Sequence, residues 1–123
     1  MVRVSQLAAL VLALWTPIAL GGPEYFGAIA YSPKSGAHGW AKDHPTRAAA
    51  EKAALSACRK HAQDCRPAVW FKNGCGALVV NPKGYYWGWG TTQTLADTEA
   101  NKVCAKKGGE CKIRVQICTA GAG

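Results

Sequence analysis

The stretch from Gly27 to Lys72 reads as if written twice, and no other feature limits the fold as strongly. Gly27-Ala28-Ile29-Ala30-Tyr31-Ser32-Pro33-Lys34 returns as Gly76-Ala77-Leu78-Val79-Val80-Asn81-Pro82-Lys83, and Gly39-Trp40 returns as Gly88-Trp89. Thr46 through Cys58 to Cys65-Arg66 returns as Thr92 through Cys104 to Cys111-Lys112. The two units are expected at about 26–72 and 75–118.

Each unit has the same local signals. Phe26 to Tyr31 is a short apolar run that ends in Ser32-Pro33-Lys34-Ser35-Gly36, a turn, so Ala37 to Lys42 should return as a hairpin strand. Thr46 is a helix N-cap candidate, and Arg47 to His61 lacks Gly and Pro while placing Ala50, Ala54, Ala57 and Cys58 on one face. Cys65 to Lys72 follows as a strand, with Pro67 suggesting a strand start or an edge. In the second unit, Gly76 to Val80 and Tyr85 to Gly90 read as strands. Thr94 with Asp97 makes a better capping box than Thr92, the register twin of Thr46. Gly108-Gly109 stops that helix, and Cys111 to Cys118 alternates apolar Ile113, Val115 and Ile117 with polar neighbours. Ala120 to Gly123 has nothing to pack and should fray. The expected architecture is α+β: two strand-strand-helix-strand units forming one sheet of about six strands, with both helices on one face.

The chain has 123 residues, room for one domain. Arg3 followed by the apolar stretch Leu7 to Leu20 and small Ala19, Gly21 and Gly22 reads as an export signal over residues 1–21, leaving a domain at 22–123. The apolar stretch is short of the ~20 residues a membrane span needs, which disfavours an uncleaved anchor. The chain's six cysteines all follow that segment, and an even count in a small exported chain reads as a disulfide framework. Six cysteines allow 15 pairings. Equal separations favour Cys58–Cys65 and Cys104–Cys111, leaving Cys75–Cys118 to tie one unit to the other; a competing pattern cross-links the helices through Cys58 and Cys104.

The formal charge of +8 becomes +7 when Arg3 is removed, which draws anionic partners but also serves plain solubility, because the Lys and Arg residues are dispersed. His38, His44 and His61 are the only imidazoles, and the cysteine separations are not those of a zinc ribbon or finger, so neither a metal nor another cofactor is expected. Fragments of a nucleophilic set exist in Ser56, His61 and Asp64, or in His44 beside Asp43. No strand-to-helix nucleophile elbow accompanies them. The 7 acids are mostly explained as caps or loop residues, so the chain is read as a non-enzyme.

The sharper signal is Tyr85-Tyr86-Trp87-Gly88-Trp89-Gly90. Strand alternation puts Tyr85, Trp87 and Trp89 on one face and Tyr86 on the other. One set belongs to the core. The other, with Lys83 beside it, could stack on sugar rings or dock a protein. The plainer alternative fills the core with the Trp residues beneath the Ala-rich helices, and Trp40, the twin of Trp89, would be core by the same logic.

Gly27-Ala28-Ile29-Ala30-Tyr31, the helix start Thr46-Arg47-Ala48-Ala49-Ala50-Glu51, Cys75-Gly76-Ala77 and Trp87-Gly88-Trp89-Gly90 resemble the bacterial domain-of-unknown-function 4189 family. The resemblance runs from about Tyr25 to Thr119 and implies a small exported bacterial protein; it carries no catalytic residues. The expected function is a secreted or periplasmic binding protein for a protein partner, of inhibitor or immunity type. The alternative is a module for envelope polysaccharide or anionic lipid. Export argues against nucleic acid.

Overall fold

The computed structural model describes residues 23–123; the expected export signal lies outside them. The elements run β1 (Phe26–Tyr31), β2 (His38–His44), α1 (Arg47–Arg59), β3 (Arg66–Lys72), β4 (Cys75–Asn81), β5 (Gly84–Gly90), α2 (Gln93–Lys106) and β6 (Lys112–Cys118). Both halves therefore follow the strand-strand-helix-strand order. Both helices start on a threonine: Thr46 Oγ1 accepts from Ala49 N at 3.1 Å, and Thr92 Oγ1 from Leu95 N at 3.2 Å. The capping residue of α2 is thus Thr92 rather than Thr94, because the helix begins at Gln93.

The six strands do not form one sheet. They make two three-stranded antiparallel sheets, ordered β2-β1-β3 and β5-β4-β6. The physical reason lies in the two central strands, which are apolar on both faces. Ala28 and Ala30 of β1 pack with Ala50, Ala54 and Cys58 of α1, while Ile29 points the other way. In β4, Ala77 and Val79 pack with Ala96, Ala100 and Cys104 of α2, while Leu78 points away. A single sheet with both helices on one face would leave Ile29, Leu78, Phe71 and Val115 in water. Instead these four meet in a core between the two sheets. The helices consequently lie on opposite outer sides, and the layers run α1, first sheet, second sheet, α2.

Small residues let each helix sit close. A Cβ on Gly39 would stand 2.3 Å from Cys58 N, and one on Gly88 would stand 2.5 Å from Ala96 O and Ala100 N. The repeated Gly-Trp pair thus has a mechanical meaning: the glycine admits the helix backbone, and alternation turns the tryptophan to the sheet's other face.

The disulfides are Cys58–Cys65, Cys104–Cys111 and Cys75–Cys118. The first two each fasten a helix end to the start of the following strand. The third does not join the halves. Cys75 opens β4 and Cys118 closes β6, and these strands are neighbours in the second sheet, so the bridge is internal to it. The chain connection at Asn73-Gly74 and the core between the sheets hold the halves together. The C-terminal tail is also tied down, because Ala120 N donates to Asp43 Oδ1 at 2.7 Å.

Candidate binding site

In β5 the positions facing α2 are Tyr86, Gly88 and Gly90, so Tyr85, Trp87 and Trp89 face the first sheet. Tyr85 and Trp87 pack around Tyr31 of β1, with ring centroids 5.0 Å and 5.7 Å away. Beyond them Trp87 is 39% and Trp89 58% exposed. Both overhang the edge of β3, forming an open cleft of about 530 Å³ with Phe26, Val69, Trp70 and Lys72.

The far wall of this cleft is a chain of stacked groups. The Arg47 guanidinium lies 4.6 Å from the centre of the Trp70 ring, Trp70 stacks on Phe26 at 6.2 Å, and Lys72 Nζ lies 5.9 Å from the Phe26 centroid. Each cation also has an acid at hand: Arg47 Nε is 3.3 Å from Glu51, and Lys72 Nζ is 2.9 Å from Glu24.

The same places in the second half hold different chemistry. Register puts Gln93, Asp97 and Gln116 where the first half has Arg47, Glu51 and Trp70. Gln93 Nε2 donates to Asp97 Oδ1 at 2.9 Å and Gln116 Nε2 to Asp97 Oδ2 at 2.7 Å. Phe26 and Lys72, paired across β1 and β3, correspond to the bridged Cys75 and Cys118. The fold is thus completed in the second half by hydrogen bonds and a covalent bond. The stacked Phe26 and Trp70 rings of the first half are not demanded by the topology.

Sequence reasoning named Tyr85, Trp87 and Trp89 as one row, and they do share a face. Tyr86, named with them, is half-buried against α2 and takes no part in the cleft. Lys83 is elsewhere too: it sits at the β4–β5 turn beside Gly108, whose Cβ would stand 3.3 Å from Lys83 Cδ. Trp40 is not core, since 48% of it is exposed. Phe26, Arg47, Trp70 and Lys72 were not singled out. The signal for Trp70 was available in the alternation of β3, where Val69 and Phe71 turn inward and leave Trp70 on the other face.

Of the residues considered for catalysis, His44 and Ser56 line one open depression with Lys52 and Lys60, while Asp43 and Asp64 are engaged in hydrogen bonds elsewhere. Asp64 is engaged by Ser32, whose hydroxyl donates to Oδ1, and by Lys34 N, which donates to Oδ2 at 3.1 Å. These contacts fasten the β1–β2 turn to the α1–β3 loop. The Ser32 hydroxyl chiefly holds the Asp64 carboxyl below its ordinary range, aided by the Lys34 N–H and opposed by partial burial. Asn81, the twin of Ser32, does the same fastening by donating to the carbonyls of Lys107 and Gly109 at 3.0 Å. Asp43 accepts from Ala120, and all six cysteines are bridged. Among the described residues no group of three His, Cys, Asp or Glu side chains is placed to hold a metal ion.

The sequence profile of the family described as "Domain of unknown function (DUF4189)" matches residues 26–118, from the first strand to the last. The chain belongs to this family. Relatives include Protein Rv1269c of Mycobacterium tuberculosis and Protein Mb1300c of Mycobacterium bovis, each 40% identical over 77 residues, covering 63% of this chain and 59% of the relative. Uncharacterized protein Rv1813c of Mycobacterium tuberculosis is 40% identical over 76 residues, covering 62% of this chain and 50% of its own. The matched part of this DUF4189 chain thus spans between half and three-fifths of those relatives' length. No solved structure gives a significant match.

Proposed function

We propose that this DUF4189 chain is a non-enzymatic binding module of an oxidising, exported compartment, and that it takes a protein partner in the cleft between β3 and β5. The observation that carries this reading is the asymmetry between the halves. Trp70, stacked on Phe26 and Arg47, meets Trp87 and Trp89 at one cleft, while in the second half the positions equivalent to Phe26, Arg47, Trp70 and Lys72 are closed by an amide network and a disulfide. Tryptophan and arginine are the residue types that carry most binding energy at protein interfaces, and Trp70 stacks directly on Arg47. Three disulfides in a domain this small accord with an oxidising compartment. Among the described residues no helix is long and apolar enough to cross a membrane. An inhibitor or immunity-type role suits a rigid module with an aromatic docking face.

The envelope-polymer alternative draws on the same flat rings and on Arg47 and Lys72, since sugar faces stack on tryptophan and cations attract anionic polymer. Two arms separate the readings. The protein and its Trp70→Ala/Trp89→Ala variant are used to capture proteins from envelope extract, and each captured protein is purified and titrated by calorimetry. In parallel both are sedimented with purified peptidoglycan at low and high salt. A purified protein that binds the parent and not the variant supports the leading reading. Salt-sensitive, tryptophan-dependent sedimentation supports the alternative, and equal behaviour of parent and variant in both arms defeats both.

A further inference from the structure

Four strands lie at sheet edges: β2 and β3 in the first sheet, β5 and β6 in the second. An edge strand offers unpaired N–H and C=O groups, and proteins that stay monomeric blunt such edges with charges, proline or bulges. Three of the four are blunted. β2 carries Lys42 and Asp43 and is irregular in its pairing with β1. β3 carries Arg66, Pro67 and Lys72 and has one extra residue opposite Ile29 and Ala30. β6 carries Lys112 and Arg114 and has one extra residue opposite Leu78 and Val79.

β5 has none of these devices. Its sequence, Gly-Tyr-Tyr-Trp-Gly-Trp-Gly, contains no charge and no proline, and its register with β4 is unbroken from Gly84 to Gly90. The helix beside it repeats the contrast. Leu95, Glu99 and Val103 form an i, i+4, i+8 stripe on α2 that borders a groove along the β5 edge, with Leu95 50% and Val103 42% exposed. On α1 the corresponding stripe is Ala49, Ala53 and Ala57, with Lys52 and Lys60 alongside.

We infer that β5 is a self-association edge, and that two copies of the chain pair their β5 strands antiparallel about a two-fold axis to give a continuous six-stranded sheet. An antiparallel strand pair is its own two-fold mate, so one edge supplies both sides of the interface. Trp87 and Trp89 then meet aromatic side chains of the other β5 on the same face, as cross-strand aromatic pairs do. On the opposite face the two α2 stripes approach, bringing Leu95 and Val103 out of water. Local charge permits this despite the chain's overall positive charge, because the charges at the stripe, Glu99 and Lys102, are of opposite sign and lie 3.6 Å apart. The tryptophans of the two clefts would come side by side, lengthening the aromatic surface.

The test uses the purified exported protein with its disulfides intact. Sedimentation equilibrium should show a concentration-dependent doubling of mass, and hydrogen exchange should show protection of β5 amides that rises with protein concentration. Leu95→Lys/Val103→Lys should weaken association at least tenfold, while Ala53→Lys/Ala57→Lys on α1 should leave it unchanged. A protein still monomeric at about 1 mM, where any dimer with a Kd below that would be evident, overturns the inference. So does a dimer whose concentration-dependent protection falls on β2, β3 or β6. So, too, does β5 protection that appears only when an envelope extract is added, which would assign the edge to another protein. The exchange measurement needs only the parent chain, so misfolding of a variant does not rescue the idea.

Discussion

The ring of Phe71 leaves its own sheet to lie against Gly76 of the other, where a Cβ would stand 2.5 Å from Cε1. The same ring covers Gly27, the twin of Gly76, so one phenylalanine occupies the space vacated by both repeated glycines. With no disulfide between the halves, this contact is central to what joins them. Phe71→Ala should cost about 3–5 kcal/mol. Gly76→Ala should cost about 1–3 kcal/mol by displacing the ring, and urea unfolding measures both. Unfolding that is unchanged in the Phe71 variant would refute this account of the join.

Gly39→Ala and Gly88→Ala meet helix backbone rather than a movable side-chain end. Each should destabilise by about 1–3 kcal/mol or more, because a helix must shift as a unit. Thermal unfolding of the two variants should give similar losses, since the two helices sit on their sheets in the same way.

Replacing Cys75 and Cys118 together by alanine should cost about 2–5 kcal/mol. Because both belong to the second sheet, the loss should be read locally. Hydrogen exchange should quicken in β6 and the start of β4, with β1 to β3 unchanged; loosening of the first sheet instead would restore a linking role to this bridge.

Asp64 gives a pH dependence of known sign. Its folded-state pKa is depressed, so its contribution is present above the unfolded value of about 3.9 and is lost as pH falls through the lower folded value. The urea midpoint of the parent should therefore fall below about pH 4, and Asp64→Asn should flatten that part of the curve. A variant with the same acid-side slope as the parent would show that the Ser32 contact contributes nothing.

Trp89→Ala should change stability by no more than about 0.5 kcal/mol, because the ring is mostly in water. A much larger loss would mean that the ring is structural and would weaken the case for a binding surface.

The element order was legible in the residues because it is set locally. Thr46 caps the first helix, the Ala-rich stripes repeat at helical spacing, Gly and Pro break the chain, and equal separations group the cysteines; only the cap of α2, Thr92 in place of Thr94, escaped the local signals. The first half of the site was legible for the same reason: alternation alone puts Tyr85, Trp87 and Trp89 on one side of a strand. What alternation leaves open is the covering of each face. Ile29 and Leu78 are as apolar as their helix-facing neighbours, which marks a strand buried on both sides without saying whether a helix or a second sheet lies there.

Sequence by itself therefore determined two strand-strand-helix-strand units, the cap of the first helix and the shared face of Tyr85, Trp87 and Trp89, since backbone sterics and periodicity act over a few residues. Tertiary structure decided that the units stack as two sheets with helices outside, that Trp40 stays exposed, and that Phe26, Arg47, Trp70 and Lys72 join Trp87 and Trp89 at one cleft. Those outcomes depend on apolar area shared between strands distant in the chain, and no local pattern records which distant face a side chain will meet.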